Sequence, residues 1–305
     1  MSESRTFDFT SADGTRLRGW GSASDGRRGV PLVLSNGLGT IPQAWPSLVA
    51  PDSRYDTISW YHRGTFGSDR PADPDAVGIA DHVEDLIALM DSQGVDRALI
   101  ACWSIGVNVG FELVRRHPER VAGLLAVAGV PGGTFATMGG PLRIPRRLRR
   151  PVATRIARAA VLAGPALTWL APRLPLGDRT AWLLSHSGFM LPGAEPAVLV
   201  PMLEQFVRQD WGWYFRLAVG ASAHEPMDLA FVECPVTLLA GRHDVLTSMH
   251  DIVVAAQTMP HAQVTVLPGS HFLPMEHPAL VTVALDELAR RSDLTHPAGG
   301  LANPA

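Results

Sequence analysis

The feature that most limits the fold is an alternation along the chain. Short apolar runs of strand length recur, and most are separated by stretches with helical spacing. A mostly parallel sheet covered by helices produces this rhythm, because each parallel crossover needs a dozen or more residues, which a helix supplies. "TFDFTSADGTRLRGWGS" reads as a β-hairpin turning at Asp13-Gly14. "VPLVLSNG", "YDTISWYHRG", "RALIACWS" and "VAGLLAVAG" follow as strands, and "PVTLLAG" and "AQVTVLPG" near the C-terminus complete eight. Between them, Ile79, Val83, Leu86, Ile87 and Met90 lie at helical spacing within Asp75 to Gln93, and Gly94 ends that helix. Ser104 to His117, stopped by Pro118, reads as a second helix, and Ser248 to Thr258 and Pro278 to Arg291 read as two more.

From about residue 131 to 228 the rhythm breaks. This segment shows no clear strand, eleven prolines and four of the eight tryptophans: Trp169, Trp182, Trp211 and Trp213. Several short helices inserted between two core strands, forming a cap over the sheet edge, fit that composition. The expected organisation is a core of residues 1–130 and 229–291, a helical cap over 131–228, and a disordered tail over 292–305.

Charge and residue usage remove several function classes. A net charge of -3 argues against nucleic acid as the main partner, since phosphate binding needs a basic field. All 26 basic residues are arginine, which excludes the lysine of a phosphate-binding loop, a pyridoxal Schiff base and any other catalytic lysine. No G-x-G-x-x-G occurs, and the eleven histidines lack metal-binding spacing, so neither a cofactor nor a metal is expected. Cys102 and Cys234 lie in strand-like runs rather than a disulfide framework. The N-terminus lacks an apolar signal core, and the longest uncharged apolar run, Ala159 to Ala171, is short and interrupted by Pro165. The chain therefore reads as cytoplasmic, with no integral membrane segment.

"ACWSIGVNVG" places Ser104 where a strand turns into a helix. A serine there also serves as an ordinary helix N-cap. As a nucleophile it needs a base to remove its proton and oriented donors for the oxyanion that forms. A sharp turn projects the side chain and requires small residues two before and two after it; these are Cys102 and Gly106. The bend "LSNGLGTIPQAW" follows the third strand, and the Leu38 and Ile105 N–H groups are the candidate oxyanion donors. His271 in "VLPGSHFLPMEHP" and Asp244 in "LLAGRHDVLTS" each lie just beyond a strand, at the edge that carries Ser104. His243 is the nearest competing base, but it adjoins the proposed acid and is not easily oriented by it.

With its order of Ser104, Asp244 and His271, the chain resembles the α/β-hydrolase superfamily over residues 5–130 and 229–291. The matching segments are "NGLGTIPQAW", "YHRGTFGSDRP", "DHVEDLIALMDSQGVDRALIACWSIG", "CPVTLLAGRHD" and "LPGSHFLPMEHP". The resemblance implies an eight-stranded sheet with Ser104 as nucleophile, His271 as base, Asp244 as orienting acid, and Leu38 and Ile105 as oxyanion donors. Three positions depart from the common pattern. Cys102 replaces a glycine, Asn36 stands where many relatives carry histidine, and His62 stands where an aspartate is common. The Asn36 departure is similar to lactonases of the 3-oxoadipate enol-lactone type. A serine at 104 argues against the dehalogenases and epoxide hydrolases that use an aspartate.

The implied activity is cofactor-free hydrolysis of a small apolar ester or lactone through an acyl-enzyme. Carbon–carbon bond hydrolysis or perhydrolysis would use the same triad, and a non-catalytic binder is the remaining class. Trp103, Trp211, Trp213, Tyr214 and Phe272 are expected to line the substrate pocket. The run "RIPRRLRRPVATRIAR", from Arg143 to Arg158, holds seven arginines. It reads as a solvated face, a site for an anionic substrate or a membrane-docking segment. The sequence leaves the oligomeric state open.

Overall fold

The computed structural model of the protein describes residues 4–22, 29–138 and 144–295. Eight strands form one sheet: β1 (Arg5–Thr10), β2 (Arg16–Gly21), β3 (Val30–Ser35), β4 (Tyr55–Trp60), β5 (Ala98–Trp103), β6 (Val121–Val127), β7 (Val236–Gly241) and β8 (Ala262–Leu267). Their spatial order is β1-β2-β4-β3-β5-β6-β7-β8. The β1–β2 hairpin is antiparallel and joins β4 antiparallel, while all later pairs are parallel. The chain moves outward from β3 to β4 and then returns to place β5 on the other side of β3. The C-terminal ends of β3 and β5 therefore meet at a reversal of strand order, where open α/β sheets form a crevice.

The central strands are buried on both faces, which explains their continuous apolar runs. Alternation assigns each side chain to a face. In β5, Ile100 and Cys102 pack with α1 (Ile79–Ser92) and α2 (Gly106–Arg116), whereas Leu99, Ala101 and Trp103 pack toward α10 (Pro278–Arg291). Each fully buried Leu, Ile or Val there contributes roughly 1.5–3 kcal/mol. The first two helices are shorter than the sequence suggested. Asp75 to Gly78 stays outside α1, because the Asp81 carboxylate accepts the Gly78 N–H (2.8 Å) and fixes the helix start there. Gly94, at φ 63°, ends the helix segment as expected.

Among the described residues, five α-helices lie between β6 and β7: α3 (Thr134–Thr137), α4 (Arg146–Leu170), α5 (Asp178–Ser185), α6 (Pro196–Val207) and α7 (Trp211–Ser222). The expectation of only short helices fails at α4, which runs through Pro151 and Pro165 for 25 residues. Each proline removes one ladder hydrogen bond, and packing along α7 overrides that local penalty. The crossing is tight, because a Cβ on Gly164 would meet the Gly212 Cα at 2.3 Å. Ion pairs brace this layer: Arg150 holds Glu225 beyond the end of α7 (2.8 and 2.7 Å), and Arg146 reaches Asp251 in the segment after β7 (2.8 Å).

After β7 come α8 (Met249–Gln257), β8, α9 (Leu273–Glu276) and α10. Residues 292–295, read from sequence as the start of the tail, carry defined structure. Ser292 is buried and Asp293–Thr295 forms a 3-10 turn. Residues 296–305 and Arg143 lie outside the described residues. Among the described residues, no helix is long and apolar enough to cross a membrane.

Candidate active site

Ser104 occupies the β5–α2 turn at φ 57°, one of three non-glycine residues at positive φ among the described residues. An L side chain adopts this conformation only at a cost of order 1–3 kcal/mol, which the surrounding structure must impose. The neighbours show how this is done. A Cβ on Gly106 would meet the Ser35 carbonyl oxygen at 2.0 Å, and one on Gly129 would meet the Ser104 carbonyl oxygen at 2.5 Å. Cys102 replaces the usual glycine at the other flank. Its sulfur points under α2, and a Cβ on Gly110 would meet it at 2.4 Å. Gly110 therefore supplies the space that Cys102 occupies. Burial pushes the Cys102 thiol upward, so it remains protonated.

His271 and Asp244 converge on this turn from the ends of β8 and β7. His271 Nε2 lies 2.8 Å from Ser104 Oγ, and its Nδ1 lies 2.8 Å from Asp244 Oδ2. The other Asp244 oxygen accepts the N–H groups of Leu246 and Thr247, each at 2.8 Å. With both carboxylate oxygens engaged, Nδ1–H donates to Asp244, and Nε2 is left to accept from the serine hydroxyl. The rival base, His243, is exposed to solvent.

Two further residues fix the loop that carries the imidazole. The Trp103 indole donates to the His271 carbonyl at 2.8 Å. Glu276 is buried; it accepts Ser270 N–H (2.7 Å), Ser270 Oγ–H (2.6 Å) and the Leu191 N–H (2.7 Å) of the helical layer. Sequence reasoning missed Glu276, although a carboxylate within the otherwise apolar "HFLPME" was a usable signal.

The Asn36-Gly37-Leu38 bend lies against the serine, since a Cβ on Gly37 would be 3.5 Å from Ser104 Cβ. Asn36 is turned inward. Its amide donates to Ser59 Oγ (3.0 Å) and accepts from Trp45 Nε1 (2.9 Å), so it anchors the bend. Among the described residues, neither Leu38 N–H nor Ile105 N–H has a hydrogen-bond partner within the protein. Unpartnered N–H donors beside a hydroxyl bonded to an imidazole are the kind of groups that can hold an oxyanion.

A cavity of about 320 Å³ opens above Ser104 and His271, walled mainly by Phe189, Met202, Phe206 and Met275. Among the described residues no Asp, Glu or Arg lines it, and besides Ser104 and His271 its polar side chains are Thr40, Tyr214 and the Trp103 indole. Burial pushes the Tyr214 phenol up to about 12. Of the expected pocket residues, Trp103, Tyr214 and Phe272 line the cavity. Trp211 and Trp213 do not, and the reason is local. The Trp213 indole turns toward the sheet, donates to the Arg63 carbonyl at 2.6 Å and lies under the Arg70 guanidinium. Trp211 packs edge-on against Phe206, behind the wall.

His62, unexplained by sequence, is buried in a polar cluster outside this cavity. Its ring meets His82 edge-on at 5.0 Å, and the neighbouring Arg63 pairs with buried Asp85 (2.7 and 2.8 Å) and with Asp13. Burial, reinforced by His82, lowers the His62 imidazole to about 3 against the opposing pull of Asp85. Burial alone would raise the Asp85 carboxyl, but hydrogen bonds and charge from His82 and Arg63 hold it below its ordinary value. Among the described residues, no group of three or more His, Cys, Asp and Glu side chains is arranged to hold a metal.

A family model described as alpha/beta hydrolase fold matches residues 30–278. The chain belongs to that family. A relative from Caulobacter segnis named "Putative carbamate hydrolase RutD" is 33% identical over 99 residues, which covers 32% of this chain and 37% of that protein. An Azorhizobium caulinodans protein of the same name is 26% identical over 251 residues, or 80% of this chain and 84% of its own. Among solved structures, the enol-lactonase from Burkholderia xenovorans LB400 superposes with a TM-score of 0.69 at 23% identity, covering 93% of this chain and 100% of that one. At that identity the likeness speaks for the fold alone. Together with the family match, these relatives make the protein a hydrolase of the α/β fold.

Proposed function

We propose that the protein hydrolyses carboxylic esters or lactones through an acyl-enzyme. Ser104 is the nucleophile, His271 the base, Asp244 the orienting acid, and the Leu38 and Ile105 N–H groups the oxyanion donors. Residues 1–130 and 229–291 form the catalytic core, and residues 131–228 cap the site. The observation that carries this reading is the continuous contact from Ser104 Oγ through His271 to Asp244, held at a strained turn and opening on an apolar cavity.

The reaction follows from that arrangement. As Ser104 Oγ bonds to the substrate carbonyl carbon, its proton passes to His271 Nε2, and Asp244 stabilises the imidazolium. The carbonyl oxygen becomes an oxyanion facing the two N–H donors. Collapse breaks the bond to the leaving oxygen, which departs with the proton from His271. Water then attacks the acyl-enzyme with His271 again as base, releasing the acid and restoring Ser104. No redox step or external electrophile enters this sequence, so no cofactor is required.

Carbamate hydrolysis, suggested by the relatives' name, uses similar serine chemistry. A small polar carbamate would leave most of this apolar wall unsatisfied, whereas an aliphatic or aryl acyl group fills it. Kinetics on nitrophenyl esters of increasing chain length test the reading. Ser104→Ala is expected to lower kcat by about 10⁴–10⁶ with the fold intact. Each acyl methylene accommodated should raise kcat/KM about three- to fourfold. A Ser104→Ala loss below about tenfold would remove this serine as nucleophile.

A further inference from the structure

The outward side of the 144–189 segment combines exposed apolar groups with uncompensated positive charge. Among the described residues, nine of the thirteen exposed large hydrophobic side chains fall between Leu148 and Phe189. Such concentration differs from the scattered exposure of ordinary surfaces. In α4, Leu148, Arg155, Leu162 and Trp169 recur every seven residues and share one stripe. Leu162 is 84% exposed and Trp169 63%. Not one Asp or Glu occurs from 144 to 177, against seven arginines. Arg146 and Arg150 are paired with Asp251 and Glu225, and Arg149 donates to the Ile144 carbonyl. Arg147, Arg155 and Arg158 are exposed, with no acidic partner among the described residues.

This surface continues to the mouth of the cavity. Trp182 and Leu183 are exposed on α5, the adjoining Leu184 lines the cavity, and Phe189 is both exposed and part of its wall. We propose that this face docks on an anionic lipid surface, so that the cavity opens where apolar esters partition. The docking stands independently; only the delivery of substrate rests on the ester-hydrolase reading.

Charge selects this occupant. A helix of 25 residues, roughly 37 Å long, lying in the interface would bury its apolar stripe at the acyl boundary and place its arginines among lipid phosphates. Tryptophans such as Trp169 and Trp182 suit that depth. A second copy of the chain suits the face poorly, because a two-fold contact would set its uncompensated arginines against themselves.

The test is cosedimentation of the full chain with phosphatidylcholine vesicles, with and without about one-third phosphatidylglycerol. The wild type is expected to sediment with the anionic vesicles only, and high salt should weaken the association. Arg147→Gln/Arg155→Gln/Arg158→Gln should lower partitioning about a hundredfold. Leu162→Ser/Trp169→Ser should lower it at least about tenfold. Both variants should hydrolyse a dissolved short ester as the wild type does, which shows that they fold. Ser104→Ala should bind vesicles normally, so a failed catalytic reading leaves the docking result intact. Absence of wild-type sedimentation, or equal partitioning by the arginine variant, would overturn the proposal. So would a wild-type dimer that ignores vesicles and is split by Leu162→Ser/Trp169→Ser.

Discussion

Cys102 is tolerated two residues before Ser104 because Gly110 leaves room for its sulfur, and this pairing can be measured. Gly110→Ala would place a Cβ 2.4 Å from Cys102 Sγ and 2.8 Å from Leu124 Cδ1, both well inside ordinary contact and the sulfur the more severely. Overpacking of this kind costs about 1–3 kcal/mol. Alanine recovers up to about 1 kcal/mol of helix propensity inside α2. The single variant is therefore expected to lose about 1–2 kcal/mol.

In a Cys102→Gly background the sulfur is gone. Only the end of Leu124, a flexible side chain, remains in the way, so Gly110→Ala should be close to neutral there. The expected coupling is about 1–2 kcal/mol, read from urea unfolding of the four proteins in a double-mutant cycle. Because the clash would push α2 off β5 and disturb the Ser104 turn, kcat should fall in the single variant and recover in the double. An equal cost of Gly110→Ala in both backgrounds would refute this account of the turn.

Other substitutions probe the remaining contacts. Trp213→Ala removes a buried indole and its bond to the Arg63 carbonyl; it should cost about 3–5 kcal/mol of stability while lowering kcat/KM for short and long esters in parallel. Phe272→Ala enlarges the cavity itself, so its kcat/KM loss should depend on acyl chain length in the same ester series. Glu276→Gln turns an amide donor toward N–H groups that need an acceptor; a loss of about 1–3 kcal/mol in urea unfolding, with reduced kcat, is expected. His62 titrates near 6.5 when unfolded and about 3 when folded, so between those values the unfolded chain binds the extra proton. Its contribution is fully present above pH 6.5 and falls by about 1.4 kcal/mol per pH unit as acid is added. Urea unfolding at several pH values should show His62→Gln removing one proton's worth of that slope.

The core was legible in sequence because parallel strands buried on both faces must be apolar throughout, and a lone Ser104 at the end of such a run stands out. Asp244 and His271 were legible because each directly follows a strand. The helical layer was harder to read. Pro165 signals a break, yet packing of Gly164 on Gly212 carries α4 through it, and that contact lies 48 residues away in the chain. Membership of the cap pointed Trp213 and Tyr214 at the pocket but did not reveal that the Arg63 carbonyl captures the indole and leaves the phenol ring at the cavity. Asn36 read from sequence only as a departure similar to that of the enol-lactonases, and its bonds to Ser59 and Trp45 show it anchoring the bend. Cys102 was recognised as compact, but the space that accommodates it depends on which face of β5 meets α2.

The most direct test of the central claim is mass spectrometry of the protein after exposure to a fluorophosphonate, with peptide mapping of the adduct. One adduct is expected, on Ser104, absent in Ser104→Ala and formed at least about 10³-fold more slowly in His271→Ala. Adduct formation elsewhere, or undiminished labelling of well-folded Ser104→Ala, would contradict it.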